Sequence, residues 1–347
     1  MIAANLPDPE VESPNVVTAV LGMARMGNKS ARKAKRRKLP NRHWSASAVL
    51  ALAIGALTPS AGYAWTSVGE YRNFPANLIL PQVTSTDGVW FTPMTQPFMA
   101  PTSGATTRQW SIAGTYSKMI TENLGVQLSD GLERDDRLGT PSASGAQNFA
   151  ALLQYEAYRS PRDSPHEFVL SVQVEQNFGA TGDKNLKGYQ TSFTQPGITF
   201  AKGFGDLPIS YLQPLAITGF TGYEIGEARA NQFNAGFSVQ YSIPYLVSKV
   251  APVDLPWLLR GMTPMIEMSY TTPSGNAHGM GTTFNIAPGF NYTQGSGWEL
   301  EIEAQIPTNK ATGSGVGVVA QVVILFDYLL PNSFIGHPIF PHCCPVN

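Results

Sequence analysis

Apolar and polar residues alternate strictly in the segment "WELEIEAQI", residues 298–306. Glu299, Glu301 and Glu303 occupy every second position, and the intervening residues, from Trp298 to Ile306, are all apolar. Because successive side chains of a β-strand point to opposite faces, this segment predicts a strand with one apolar face and one acidic face. The two faces therefore require two different surroundings.

The same alternation recurs along most of the chain, for example in "EFVLSVQVEQ", "FNAGFSVQYSI" and "TTFNIAPGFNYT". Counting such segments predicts an even number of strands, as single-chain bacterial barrels require. We therefore predict an all-β fold, a transmembrane antiparallel up-and-down β-barrel of about twelve strands. The predicted strands lie near 86–98, 107–120, 125–133, 147–159, 167–178, 189–203, 209–225, 231–243, 262–272, 282–293, 298–307 and 316–329.

Two properties of these segments distinguish them from the strands of a water-soluble sandwich. Many are longer than the five or six residues that are typical of soluble strands, and their polar faces carry mostly Ser, Gly, Asn and Gln. Aromatic residues near the segment ends are typical of the girdles of a membrane barrel, although hairpin packing also favours them. These aromatic residues are Trp110, Tyr116, Tyr241, Tyr292, Trp298 and Tyr328.

The connections between the predicted strands alternate in part between tight and long. "TENLG" (121–125) and "QGSG" (294–297) are tight, whereas 134–146 is long, charged and rich in Gly and Ser. Tight turns of outer-membrane barrels face the periplasm and long loops face outward, so 244–261 is an unusually long periplasmic connection. We assign 86–330 to the barrel and 331–347 to a C-terminal tail. Residues 65–85 form an N-terminal segment that either plugs the lumen or extends into the periplasm.

Composition and charge support export rather than a cytoplasmic role. Only 14% of the 347 residues are charged, against about 25% in a typical soluble domain. Nine of the 23 Lys and Arg residues, but only three of the 24 acidic residues, precede Trp65. The remainder carries fourteen basic and twenty-one acidic residues and no basic patch, so no nucleic-acid partner is predicted.

The first 64 residues read as a basic leader and signal peptide. "RKAKRRK" (32–38) is a positively charged region, "AVLALAIGAL" (48–57) is apolar, and "AGYA" (61–64) places small residues before a cleavage site at Trp65. The apolar run is shorter than the ~20 residues that span a bilayer. The alternatives are an N-terminal membrane anchor or a disordered basic tail. Together with the alternation of apolar and polar residues in the predicted strands, the leader predicts a location in the outer membrane.

Six glutamates are the candidate lumen-facing residues. An unpaired carboxylate in a dry core costs several kcal/mol, whereas a water-filled lumen keeps it hydrated. As a set they would favour cations in a pore, or else they only keep the lumen wet. Apolar Leu152, Val169 and Phe220 fall on the same inward register. The six candidates are Glu156, Glu175, Glu267, Glu299, Glu301 and Glu303.

The sequence predicts no catalytic site, cofactor or metal. His278 stands near Ser274 and Asn276 in a Gly-rich loop that offers neither a nucleophile elbow nor a strand to orient a base. Cys343 and Cys344, with His337 and His342, could ligate a soft metal, but their spacing fits no standard zinc pattern. We interpret this region as an exposed tail.

Several motifs give the chain a family resemblance. "YSKMITENLGVQLSD", "HEFVLSVQVEQNFGATG", "LQPLAITGFTGYEIG" and "IPTNKATGSGVGVVAQVVILFDYLLPNSFIGHPIF" resemble the meta-pathway phenol-degradation (MetA-type), transporter-like outer-membrane proteins of Gram-negative bacteria. The resemblance covers roughly 85–340. It implies a single outer-membrane barrel that takes up small aromatic or apolar compounds, and it supplies no catalytic residues. The chain departs from such barrels where "PHCCPVN" follows Phe340, because they commonly end on an aromatic residue that the insertion machinery reads.

The leading hypothesis is therefore an outer-membrane channel or facilitator for the passive uptake of small molecules. Its expected partners are the outer-membrane bilayer, a small-molecule solute and the outer-membrane insertion machinery. One alternative is a periplasmic lipocalin-like binding barrel, whose dry apolar interior would invert the two faces. The other is a structural or adhesion barrel that acts through its loops.

Overall fold

Thirteen β-strands account for most of the residues that the computed structural model describes. These residues are 77–95, 107–137, 141–161, 164–186, 191–227, 229–274, 281–293 and 297–341. Within them, no helix has the length and apolarity needed to cross a membrane. The predicted leader, His278, and the His342, Cys343 and Cys344 of the tail lie outside the described residues.

The strands follow one another along the chain with short helical turns between some of them. Short helices occupy Ser210–Leu212, Ile243–Tyr245, Leu246–Val250, Trp257–Arg260 and Phe326–Leu329. The strands are β1 (Gly88–Thr95), β2 (Thr107–Met119), β3 (Leu124–Arg137), β4 (Ala143–Ala146), β5 (Ala150–Arg159), β6 (Phe168–Asn177), β7 (Phe193–Gly203), β8 (Leu215–Gly226), β9 (Asn231–Tyr241), β10 (Met262–Ser274), β11 (Thr283–Thr293), β12 (Trp298–Pro307) and β13 (Gly317–Leu325).

Antiparallel pairing closes the sheet into a barrel. Each wall strand pairs with its neighbours in the chain, and β1 pairs with β13 from Gly88 opposite Leu325 to Thr95 opposite Val318. β4 pairs only with β3, beyond the part of β3 that pairs with β5, so twelve strands form the wall. The predicted twelve-stranded antiparallel barrel is confirmed.

Several predicted boundaries differ from the structure. The strand predicted at 316–329, for example, ends at Leu325, where the short helix Phe326–Leu329 begins. The strand predicted at 209–225 begins only at Leu215, because Ser210–Leu212 form a 3-10 turn and Pro214 has no N–H to give to a ladder. β3 runs on to Arg137 because β2 pairs with it along its whole length. The long connection between β9 and β10 is present and contains three of the short helical turns.

The two faces of the wall are inverted relative to a soluble protein. On β12, Trp298, Ile302 and Ile306 are 36–40% exposed, whereas Glu299, Glu301 and Glu303 are at most 4% exposed. The other strands repeat this arrangement. Exposed side chains include Phe91, Ile112, Leu128, Val172, Ile198, Phe237, Ile266 and Val322, and buried ones include Gln154, Ser171, Gln173, Thr199, Thr218, Ser238, Gln240 and Asn291.

The tail after β13 turns back to the first strands. The N–H groups of Ile339 and Phe340 donate to the carbonyls of Met119 and Ile120, at 3.2 and 2.9 Å. Lys118 Nζ donates to the carbonyl of His337 at 2.6 Å. Phe340 is therefore held against the end of β2, and the chain continues beyond it.

The contact between β11 and β12 depends on Gly289. A Cβ atom at this position would lie 2.1 Å from the carbonyl oxygen of Ile302 and 2.5 Å from Cγ of Glu303. We expect Gly289→Val to destabilise the barrel by about 1–3 kcal/mol through overpacking. Thermal unfolding in detergent, followed by heat-dependent gel mobility, measures the change.

Gly114→Val on β2 is the matched control. A Cβ atom there meets only the carbonyl oxygen of Asp130, at 4.0 Å, which is an ordinary contact. Equal losses of stability in the two variants would contradict the proposed close approach of β11 and β12.

Candidate functional site in the barrel interior

Residues 77–87, here the inner segment, cross the interior before entering β1. Asn77 Oδ1 accepts a hydrogen bond from Thr218 Oγ1 on β8 at 3.0 Å. The carbonyl of Val83 accepts one from Ser171 Oγ on β6 at 2.7 Å, and the Val83 side chain packs against Val169. Further bonds join the segment to Gln154, Thr199 and Gln240. The inner segment thus contacts the polar faces of several strands on both sides of the barrel.

Glu267 on β10 fixes the inner segment at a single carboxylate. Its two oxygens accept hydrogen bonds from the N–H groups of Leu78, Ile79 and Leu80, at 3.1, 2.8 and 3.2 Å. Glu267 has no exposed surface. Three backbone donors converge on one buried side chain, so this is a specific anchor.

Asp87 holds the other end of the inner segment. Its Oδ1 accepts hydrogen bonds from Lys118 Nζ at 2.9 Å and from the N–H of Met119 at 2.7 Å. Burial raises the pKa of Asp87 above its ordinary value, and these two donors oppose that rise. The carbonyl of Asp87 also accepts from the N–H of Phe326, so the segment is tied to both β2 and the short helix after β13.

The inward glutamates of β12, Glu299, Glu301 and Glu303, form a carboxylate row. Asn291 Nδ2 on β11 donates to Glu299 Oε2 at 3.1 Å and to Glu301 Oε1 at 2.6 Å. Glu303 lies opposite Gly289, and it is close enough to Glu267 for the two charges to repel. Four of the six predicted glutamates are therefore brought together on β10 and β12, the two strands that flank β11.

The surroundings of this group differ from the predicted hydrated lumen. Glu267, Glu301 and Glu303 are at most 1% exposed, because the interior around them is filled. Among the described residues, no three His, Cys, Asp or Glu side chains are arranged to hold a metal ion.

The other two predicted glutamates lie apart from this group. Glu156 is at the β5 end that leads to β6, where Arg159 Nε donates to its Oε1 at 2.7 Å. Glu175 on β6 is near Glu224 and Arg229, which form an ion pair with each other. Neither belongs to the carboxylate row.

Residues that the sequence did not single out complete the interior. The backbone amides of 78–80 gave no signal, because the residues are apolar and stand far from Glu267 in the chain. Asn291 on β11 and Gln321 on β13 lie on the polar faces of their strands. The alternation of polar and apolar residues in these strands was the available sequence signal. Val169, placed on the inward register, packs against Val83 of the inner segment.

The two histidine side chains inside the described ranges contact residues outside the carboxylate row. His166 Nδ1 is 2.7 Å from Asp206 Oδ2 at an exposed turn, and His337 Nδ1 is 2.9 Å from the carbonyl of Pro338. Ser274, the neighbour of His278 in the sequence, shares a hydrogen bond with the hydroxyl of Tyr223 at 2.7 Å.

A closed antiparallel barrel with twelve wall strands, an apolar outer surface and a polar interior defines the class of transmembrane β-barrels of the outer-membrane type. Among solved structures, the chain is similar to an outer-membrane channel from Pseudomonas putida, with 15% identity and a TM-score of 0.49 over 73% of this chain and 99% of that one. It is also similar to the KdgM porin, with 9% identity and a TM-score of 0.41 over 69% of this chain and 99% of the porin.

A third similar structure is LpxR from Salmonella typhimurium, with 9% identity and a TM-score of 0.38 over 69% of this chain and 100% of LpxR. No protein-family model matches the chain, and no curated protein matches it. The resemblance to the phenol-degradation family therefore stays a prediction.

Proposed function

We propose that the protein is an outer-membrane channel for small solutes. The observation that carries this proposal is the polar inner wall of the closed barrel, where Gln154, Ser171, Thr199, Thr218 and Gln240 are buried behind an apolar outer surface. A lipocalin-like binding barrel would need the opposite arrangement, with apolar side chains inside. The same wall suits solutes that exchange hydrogen bonds as they pass.

In this proposal the inner segment is a plug. It contacts strands on both sides of the lumen, and its anchors are a few hydrogen bonds to Glu267, Ser171 and Met119 rather than strand pairing. Such a segment can move without breaking the wall. Its displacement would open the lumen, and its return would close it.

The interior charges favour cations. The carboxylate row and Glu267 form no ion pair with Lys or Arg in the described part of the chain. Where these carboxylates are ionised, their field lowers the energy of a cation in the lumen and raises that of an anion. Glu156 and Glu175 add less to this field, since each lies near an arginine.

The family resemblance suggests aromatic or apolar compounds as a more specific class of solute. Its support in the interior is the buried cluster of Trp90, Val323 and Leu325, which is apolar although it lies on the inner face of β1 and β13. Flux of phenol into vesicles, lost in Trp90→Ala but kept in Phe91→Ala on the outer face, would support this solute class. Equal flux through both variants would contradict it.

Planar-bilayer recording of the refolded full-length chain tests the channel proposal. We expect stepwise currents, and a reversal potential in a KCl gradient that indicates preference for K⁺ over Cl⁻. Heat-modifiable gel mobility first verifies that the barrel has folded. If neither the full chain nor a variant without the plug conducts ions or admits sugars to liposomes, the protein is not a channel.

A further inference from the structure

Part of the connection between β9 and β10, residues 242–261, lies against the outer face of the barrel at its rim. Tyr292 on β11 points to that face, because its neighbour Asn291 points inward to the carboxylate row. The ring of Trp257 meets the Tyr292 ring edge-on, with 6.3 Å between their centroids, and the Trp298 ring is 5.9 Å from Tyr292. Tyr292 is only 5% exposed, so this part of the connection covers the outer face of β11.

The connection between β7 and β8 joins the same surface. Tyr241 is on the outward register of β9 with the exposed Phe237, and its hydroxyl donates to the carbonyl of Tyr211 at 2.9 Å. The turn Ser210–Leu212 also contacts the helical turn Leu246–Val250 of the other connection. The two connections therefore form one surface along the rim, beside the ends of β8, β9, β10 and β11.

The side chains that this surface presents are large and apolar. Six of them, here the apolar rim, are 38–69% exposed: Ile209, Tyr211, Leu212, Trp257, Leu258 and Leu259. Charged groups adjoin them, since Arg260 follows Leu259 in the chain and forms an ion pair with Asp254. A contiguous exposed apolar patch beside polar groups marks a contact surface rather than a surface left in water.

The apolar rim is continuous with the lipid-facing wall, because it adjoins Trp298 and Tyr241 on the outer face. It is at the end of the barrel that carries the tight β2–β3 turn, residues 120–123, which in outer-membrane barrels is the periplasmic end. Tyr and Trp prefer the boundary between hydrocarbon and headgroups, where membrane-surface segments bury apolar side chains and keep charged groups in water. A phospholipid leaflet therefore matches the chemistry of the apolar rim.

We propose that the apolar rim is a membrane-interface anchor that lies in the phospholipid leaflet on the periplasmic side of the outer membrane. The anchor accounts for the unusual length of the β9–β10 connection, since a tight turn could not extend along the membrane surface. Because it adjoins only β8 to β11, it holds one side of the barrel to the leaflet. This inference goes beyond the channel proposal and holds whether or not the lumen conducts.

Site-directed spin labelling in vesicles of phosphatidylethanolamine and phosphatidylglycerol tests the proposal. The full-length chain carries Cys343→Ser and Cys344→Ser, and a single nitroxide is attached at Leu258→Cys. Power saturation measures how often the label collides with O₂, which concentrates in hydrocarbon, and with a nickel chelate, which stays in water. We expect the ratio of O₂ to nickel collisions to be severalfold higher at position 258 than at position 254.

Asp254→Cys is the matched control, because it is on the same connection and the Asp254 side chain is 96% exposed. Tyr211→Cys places a label on the β7–β8 connection, and it should report the same environment as position 258. This second label decides the question if Leu258→Cys does not fold, which heat-modifiable gel mobility shows.

Nickel collisions at position 258 or 211 as frequent as at position 254 would place the apolar rim in water and overturn the proposal. Low collision rates with both reagents would show that protein covers the rim, as in contact with a second copy of the chain, and would overturn the choice of lipid. Neither measurement requires conduction. Failure of the anchor can therefore be told apart from failure of the channel.

Discussion

Deleting residues 77–84 is expected to raise the single-channel conductance severalfold. These residues occupy the lumen and contact Gln154, Ser171, Thr199 and Thr218 on different strands, so their removal widens the narrowest section of the path. The wall itself is unaffected, because every strand-to-strand ladder lies outside the deleted segment. Planar-bilayer recording of the deletion variant beside the full chain measures the effect.

A single substitution should reproduce part of this effect. Glu267→Gln replaces the carboxylate that accepts the three amides of Leu78, Ile79 and Leu80 by a group with one acceptor oxygen, and so weakens the anchor. We expect more frequent openings in Glu267→Gln. Glu303→Gln is the matched control, since it removes the same charge from β12, where Glu303 makes no hydrogen bond to the described inner segment.

Comparison of these variants separates a plug from a general charge effect. If Glu267→Gln and Glu303→Gln change the current equally, the anchor does not control opening. If the deletion variant keeps its heat-modifiable mobility and conducts no better than the full chain, residues 77–84 are not a plug.

Ile302→Arg is expected to destabilise the folded barrel in lipid vesicles by about 2–4 kcal/mol, because it places a charge on the lipid face near the bilayer midplane. Ile302 is at the centre of β12 and is 36% exposed on the outer face. Urea unfolding in vesicles, followed by tryptophan fluorescence, gives the free energy of unfolding.

Ile306→Arg, on the same face of the same strand, is the control. It lies near the end of β12, where a charge reaches the interface and costs only about 0–1 kcal/mol. Equal destabilisation at the two positions would mean that depth has no influence, and hence that this face is not in lipid. Destabilisation in vesicles but not in a urea–detergent mixture would support the lipid contact further.

The wall of the barrel could be predicted from the sequence because period-two alternation is a local property. "WELEIEAQI" specifies by itself which side chains share a face, and β12 has those faces in the structure. The short strand β4 was not predicted, since its four residues, "ASGA", show no alternation and pair only with the extended end of β3. The 3-10 turn at 210–212 was likewise hidden within an apolar run.

The sequence predicts which side chains face the interior, but it does not predict which groups contact one another there. The polar residues were placed on the inner wall, but Leu78 and Glu267 are 189 residues apart, and the donor is a backbone amide with no sequence signature. The amide orientation of Asn291 follows from its two glutamate partners, which depends on the register of β11 and β12. Local patterns cannot fix such register, because it is set by the closure of the whole sheet.

The seam between β1 and β13 has a kinetic consequence. The N–H of Val318 donates to Thr95 Oγ1, which joins positions 223 residues apart. Contacts between such distant positions carry a loop-closure entropy cost, so we expect ring closure to be the slow step of folding. Because residues 77–87 continue directly into β1, they reach their final contacts only as that strand docks. Filling of the interior and completion of the ring are thus one late, cooperative event.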